Sequence, residues 1–315
     1  MKIVIPGGSG QVGTVLSRAF HAAGHEVVVL SRTPGAAPWR TVQWDAQTAG
    51  PWTAEVDGAD VVINLAGRIV NCRYTAENRR LIMESRTSST RAIGQAIAGA
   101  SRPPRVWLQA STATIYAHRY DAPNDEATGR VGGDEPDAPA TWRFSIDVAK
   151  AWENAATEIP TPRTRLVLMR SAMTMSPDPG GIFAVLLGLV RRGLGGTSGD
   201  GRQYISWIHD QDFIRAVNWA IDHEDLAGPV NFAAPHPLPN ADFMRTLRRA
   251  WGTPIGLPAT KWMLEIGAFL MRTETELVLK SRRVVPGRLL ASGFKFDYPT
   301  WPEAATDLCR RWRER

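Results

Sequence analysis

Cysteine is nearly absent. The 315 residues hold two, Cys72 and Cys309, too far apart for metal-ligand spacing and too few for a disulfide framework. Such usage goes with a reducing compartment, and a cytoplasmic location is expected. Long apolar runs are also missing: the stretch Lys2 to Pro6 is too short for a signal peptide, and no later run reaches membrane-spanning length, so no membrane partner is expected. No low-complexity tract or short repeat interrupts the chain. The formal charge of +6 comes from scattered Lys and Arg with no aromatic-rich basic motif beside them, which favours a small anionic ligand over nucleic acid. The densest basic cluster, Arg310, Arg311, Arg313 and Arg315 around Trp312, reads as a solvated helix end.

What is present is an alternation of strand-like and helix-like segments. Residues 3–6, 26–30, 61–65, 106–110 and 165–169 read as buried strands, and residues 12–23, 75–98 and 142–157 as helices between them. The segment 121–139, rich in Gly, Pro, Asp and Glu, reads as an exposed loop near the mouth of the sheet. The expected fold class is α/β. A Rossmann-type, doubly wound parallel sheet occupies residues 1–175, and a smaller, mostly helical C-terminal substrate lobe occupies 176–315. Helical patterns at 241–251, 261–271 and 303–312 fill its last part, 240–315, while strand-like residues 205–208 and 230–232, within the stretch 205–235, pair back onto the first domain.

Gly7-Gly8-Ser9-Gly10-Gln11-Val12-Gly13 lies between the first strand and the first helix. Glycines there permit a tight turn and close approach to a pyrophosphate, and the helix N-terminus supplies unpaired N–H groups and a positive dipole end. Gly7, Ser9, Gly10, Gln11, Val12 and Gly13 are therefore candidate dinucleotide contacts. At the end of the second strand a free ribose hydroxyl would call for Asp or Glu, yet the chain has Ser31-Arg32, and a guanidinium suits a 2′-phosphate. NADP(H) is the expected cofactor.

Asn64-Leu65-Ala66-Gly67, after the next strand, resembles the extended short-chain dehydrogenase/epimerase superfamily. Ser85-Arg86, Gly195-Gly196, residues 199–204, Ser206-Trp207-Ile208-His209 and Gly228-Pro229-Val230-Asn231 resemble a narrower group, the atypical epimerase-like NADP-binding proteins with an extra C-terminal domain. The resemblance implies that Ser31, Arg32, Leu65, Ala66 and Arg86 touch the dinucleotide, with Gly67 beside them and Thr174 near the nicotinamide.

In that superfamily a Ser or Thr ends the fifth strand, and a Tyr four residues before a Lys on the next helix exchanges a proton with the substrate. Ser111 or Thr112 can supply the hydroxyl here, or can satisfy strand-end backbone. The Tyr/Lys pair is missing. Anchoring on Trp152-Glu153 puts Ser145 at the Tyr position and Ala149 at the Lys position, and Lys150, one residue late, is rotated by about 100°. Tyr116 is the nearest phenol, open to a role as replacement acid or as packed core. Arg202 and Gln203 correspond in position to substrate-phosphate ligands of nucleotide-sugar epimerases, with pinning of their loop as the other reading. His209 and Asp210 read as structural. Two functions follow: an NADP(H)-dependent epimerase or reductase-like oxidoreductase acting on a small sugar or nucleotide-sugar-like molecule, or a non-catalytic NADP(H)-binding or redox-sensing protein.

Overall fold

The β-branched runs form strands buried on both faces, as a parallel sheet covered by helices requires. The computed structural model describes residues 1–135, 139–260 and 276–315. Its strands are β1 (Lys2–Pro6), β2 (Glu26–Ser31), β3 (Arg40–Gln43), β4 (Val61–Asn64), β5 (Val106–Thr112), β6 (Arg165–Ser171), β7 (Met173–Met175), β8 (Tyr204–Ile205), β9 (Trp207–His209), β10 (Gly228–Phe232) and β11 (Leu238–Pro239). Its helices are α1 (Gln11–Ala22), α2 (Thr53–Val56), α3 (Ala76–Gly99), α4 (Ala140–Thr157), α5 (Ile182–Arg191), α6 (Asp210–Asp222), α7 (Asn240–Trp251), α8 (Glu276–Leu279), α9 (Gly287–Ala291) and α10 (Trp301–Arg313). The helical pattern expected over 261–271 lies outside the described residues.

Seven strands form the central sheet in the order β10-β6-β5-β4-β1-β2-β3, all parallel. The chain runs outward from β1 in both directions, so the loops after β1 and β4 diverge over a crevice at the carboxyl edge, where open α/β sheets take ligands. Leu16 and Phe20 of α1, with Phe213, Val217 and Ile221 of α6, cover one face. Ala92, Ile93 and Ile97 of α3, with Ala156 of α4, cover the other. Strand β3 has no counterpart in the sequence pattern, because Arg-Thr-Val-Gln forms a half-exposed edge strand with little apolar signal.

The later segments divide their packing. Strand β10 joins the main sheet beside β6, whereas Ile205 pairs with Leu238 and Trp207–His209 with β7. Helices α5, α7 and α10 enclose a separate core in which Trp301 stacks on Phe243 at 4.0 Å. Residues 276–296 return to the first core instead, inserting Leu289 and Phe294 beside α6. They also tie down the loop expected to be exposed: Asn124 is fully buried and exchanges backbone bonds with Arg283 and Val285. In the C-terminal basic cluster Arg310, Arg313 and Arg315 are exposed, as expected of a solvated helix end, whereas Arg311 is half-buried. Arg311 pairs with Asp210 at 2.7 Å and also reaches Asp307, and Arg315 binds the Pro177 carbonyl, because α10 lies against these acceptors. No helix among the described residues is long and apolar enough to cross a membrane.

Candidate functional site

The glycine turn is shaped by backbone contacts. Gly7 has a left-handed φ of 75°, and a Cβ there would lie 2.7 Å from the Ala66 backbone; one on Gly13 would lie 2.5 Å from Gly8 Cα. Gly10 differs. Its φ is −74°, and an added Cβ would meet only the Gly7 carbonyl oxygen, at 3.6 Å, so nothing inside the fold demands glycine there. Its bare Cα instead faces a cleft of about 440 Å³ lined by Gly7, Ser9, Gly10, Ser31, Arg32 and Leu65, with Ala66, Gly67 and Arg68 beyond. Gln11, beside the turn, buries an Nε2 with no hydrogen-bond partner among the described residues. Val12 is partly buried and packs against the core below the turn.

The rim of the cleft is organised by hydroxyl and amide side chains. Ser31 Oγ donates to the Thr33 carbonyl at 3.1 Å and lies 3.2 Å from the Ser9 hydroxyl, which can donate to it, tying β2 to the turn. Asn64 accepts from the Ala66 N–H at 3.1 Å while donating to Gln109, which sets the bend after β4. Arg32 is exposed and lines the cleft. Arg86 lies under Gly67, donates to the Arg68 and Ile82 carbonyls, and stacks over Trp152 at 4.9 Å; burial lowers its pKa to about 10.

Arg86 also walls a smaller chamber of about 120 Å³, shared with Tyr74, Thr112, Ser145, Glu276 and Arg282. Thr112 Oγ1 accepts from the Thr114 N–H at 3.2 Å, which leaves its own proton to donate. Ser145, at the Tyr position, faces this chamber, while Ala149 is fully buried and Lys150 turns its ammonium toward Gly133. Three polar chamber-lining residues, Tyr74, Glu276 and Arg282, carried no sequence signal, nor did Lys280 behind Thr114. Arg282 donates to Thr114 Oγ1 at 3.1 Å, and Lys280 to the Thr114 carbonyl at 2.8 Å. Burial, then the neighbouring Arg282 charge, lowers the Lys280 pKa to about 8.

Other expected site residues lie elsewhere. Ser111 Oγ donates to Glu153 at 2.6 Å, inside a buried network. The Tyr116 hydroxyl donates to Asn231 Oδ1 at 2.9 Å and accepts from Arg170 at 3.1 Å, the packed-core alternative. Neither Ser111 nor Tyr116 lines the chamber. Thr174 is buried in β7 opposite Ile208 and lines neither cavity. Gln203 is buried and donates to the Ser198 carbonyl at 2.9 Å, so it pins its loop. Arg202 is exposed, with its guanidinium 5.7 Å from the Tyr120 ring. His209 is fully buried, stacked on Tyr298 at 3.8 Å with Nε2 3.1 Å from Asp307. Burial lowers its pKa, against the pull of the neighbouring Asp210 and Asp307 charges.

Residues 3–233 match the NAD dependent epimerase/dehydratase family, and residues 259–308 match a domain of unknown function, DUF1731. The chain is 33% identical over 303 residues to the epimerase family protein SDR39U1 of Bos taurus, covering 95% of this chain and 96% of that protein. It is 29% identical to the epimerase family protein YfhF of Bacillus subtilis, covering 98% of each. The crystal structure of human epimerase family protein SDR39U1 with NADPH superposes with a TM-score of 0.86 at 29% identity, covering 98% of this chain and 99% of that one. A family model spanning most of the chain and relatives similar from end to end agree with the seven-stranded sheet and its glycine turn: the chain belongs to the NAD dependent epimerase/dehydratase family.

Proposed function

We propose that the protein is an NADP(H)-dependent oxidoreductase of the epimerase or reductase type, acting on a small sugar or nucleotide-sugar-like molecule. The observation that carries the cofactor assignment is Arg32, whose guanidinium makes no hydrogen bond or ion pair among the described residues and stands at the rim of a cleft lined by Gly7, Ser9 and Gly10 of the glycine turn. No carboxylate follows β2 to take a free ribose hydroxyl. The NADPH in the human relative's structure supports the same reading. The α1 N-terminus would hold the pyrophosphate and Arg32 the 2′-phosphate, with Arg86 behind Gly67 of the cleft wall supporting the dinucleotide from below. Bound NADP(H) supplies hydride exchange; Thr112 orients the substrate oxygen, while Ser111 braces Glu153.

Arg32→Ala is expected to weaken NADPH binding by about 10–100-fold, the equivalent of losing charge-assisted hydrogen bonds worth about 1.5–3 kcal/mol, and to leave NADH binding unchanged. Titration by nicotinamide fluorescence measures both. Equal affinities before and after the substitution would remove Arg32 from the phosphate site. The non-catalytic reading has its own support in Ser145 and Ala149 at the Tyr and Lys positions. Consumption of NADPH with a panel of small carbonyls and nucleotide sugars favours the enzyme, and tight binding with no consumption favours the sensor.

A further inference from the structure

Where helix α4 carries Ser145 instead of tyrosine, another phenol reaches the same spot. The Tyr74 hydroxyl lies 3.5 Å from Ser145 Oγ, and Ser145 Oγ donates to Glu276 Oε2. Tyr74 comes from the loop before α3, whose N-cap is the adjacent Thr75. Its ring sits edge-on to Phe144 at 5.0 Å, and its carbonyl accepts from Arg79 Nε at 2.9 Å, so the phenol is braced from behind. Glu276 is 1% exposed and lies 3.4 Å from the Arg282 guanidinium, which also binds Thr114 beside Thr112. Three segments far apart in sequence thus place phenol, hydroxyl and carboxylate in one hydrogen-bonded line against the chamber.

We infer that Tyr74 is the catalytic proton donor and acceptor of this enzyme, relayed through Ser145 to Glu276, so that the C-terminal segment forms part of the catalytic centre. The inference rests on the oxidoreductase reading above. Among the described residues Tyr74 is the one phenol lining the chamber; the other hydroxyls there, on Thr112, Thr114 and Ser145, are aliphatic. Burial raises the Tyr74 pKa, the Glu276 charge raises it further, and Ser145, Arg282 and Arg86 pull it down. The phenol is therefore held neutral, the form that gives a proton.

The step balances in both directions. In reduction, as hydride from NADPH reaches the carbonyl carbon, the C=O π pair moves onto oxygen and takes the Tyr74 proton; the phenolate recovers one from Ser145, and Ser145 from a proton delivered through Glu276. Net reduction therefore takes up one proton from water. In oxidation the substrate O–H proton passes to Tyr74 oxygen, the phenol proton to Ser145 Oγ, and the serine proton to the Glu276 carboxylate as hydride leaves to NADP⁺. An epimerisation runs one half after the other and leaves no net proton.

Two measurements test the relay. Ultraviolet titration of the cofactor-free protein, wild type against Tyr74→Phe, isolates the Tyr74 phenolate. Its midpoint should lie above that of an ordinary tyrosine and fall in Glu276→Gln, where the repelling charge is gone; an unmoved midpoint overturns the coupling to Glu276. NADPH consumption is then followed with butane-2,3-dione and a panel of small carbonyls and nucleotide sugars. Tyr74→Phe should lose about 10²–10⁴-fold in kcat with NADPH affinity unchanged, and Glu276→Gln should shift the kcat pH profile. Ser145→Ala removes only one oxygen from the chamber wall and should lower kcat with NADPH affinity intact, which separates relay loss from misfolding. If the wild type consumes NADPH and Tyr74→Phe does so equally well, the Tyr74 assignment falls alone. If the wild type consumes none with any compound, the oxidoreductase reading falls and takes this assignment with it.

Discussion

Arg170→Met is expected to lower the free energy of unfolding by about 3–5 kcal/mol, the cost of stranding a buried charge. Arg170 and Glu153 are each 8% exposed, and the guanidinium donates from Nε and Nη2 to the two carboxylate oxygens at 2.8 Å. Ser111 adds a third hydrogen bond to Glu153, and Arg170 Nη1 extends the network through Tyr116 to Asn231. Burial by itself would lower the Arg170 pKa, but the Glu153 hydrogen bonds and charge outweigh it and raise it. Removing the cation therefore leaves Glu153 with one serine donor in a dry interior. The double variant Arg170→Met with Glu153→Met removes both charges and should recover most of the loss, since two apolar side chains of similar length leave no charge unpaired. Urea unfolding with an unchanged m-value reads both effects. A double variant as unstable as the sum of the singles would show that the pair contributes through packing alone.

A second contrast divides the glycine turn into two kinds of glycine. Gly13→Ala should cost about 1–3 kcal/mol or more, because its Cβ would lie 2.5–2.7 Å from Gly8 Cα, carbonyl carbon and oxygen, backbone atoms that cannot swing aside. Helix α1 would have to move off the loop, and cofactor binding would fall with it. Gly10→Ala should leave stability within about 0.5 kcal/mol, as a substitution with no internal clash, while its methyl enters the cleft where a pyrophosphate must approach closely. NADPH affinity should then drop by roughly tenfold for every 1.4 kcal/mol of strain imposed on the bound ligand. Thermal unfolding of the free proteins and NADPH titration separate the two. A Gly10→Ala variant that binds NADPH as the wild type does would place the dinucleotide away from the α1 N-terminus.

Much of the nucleotide half was readable because its signals are local. Gly7 to Gly13 lie in one turn, Ser31-Arg32 directly ends a strand, and continuous β-branched runs mark strands buried on both faces. The edge strand Arg40–Gln43 escaped because half-exposed edges require no apolar pattern. Tyr116 and Ser111 were plausible catalysts by position in the chain, yet their hydroxyl groups are spent on Arg170, Asn231 and Glu153, partners 42 to 115 residues away.

The sequence by itself determined a parallel α/β sheet with a tight glycine turn ahead of α1 and a guanidinium after β2, since steric and electrostatic demands at those places act between near neighbours. Tertiary structure decided which groups meet at the chamber. Tyr74, Ser145 and Glu276 meet only when α3, α4 and the C-terminal segment pack together, and the line from phenol to carboxylate exists only across those contacts. The loss of tyrosine from α4 is visible in the sequence; the phenol that stands in its place is visible only in the fold.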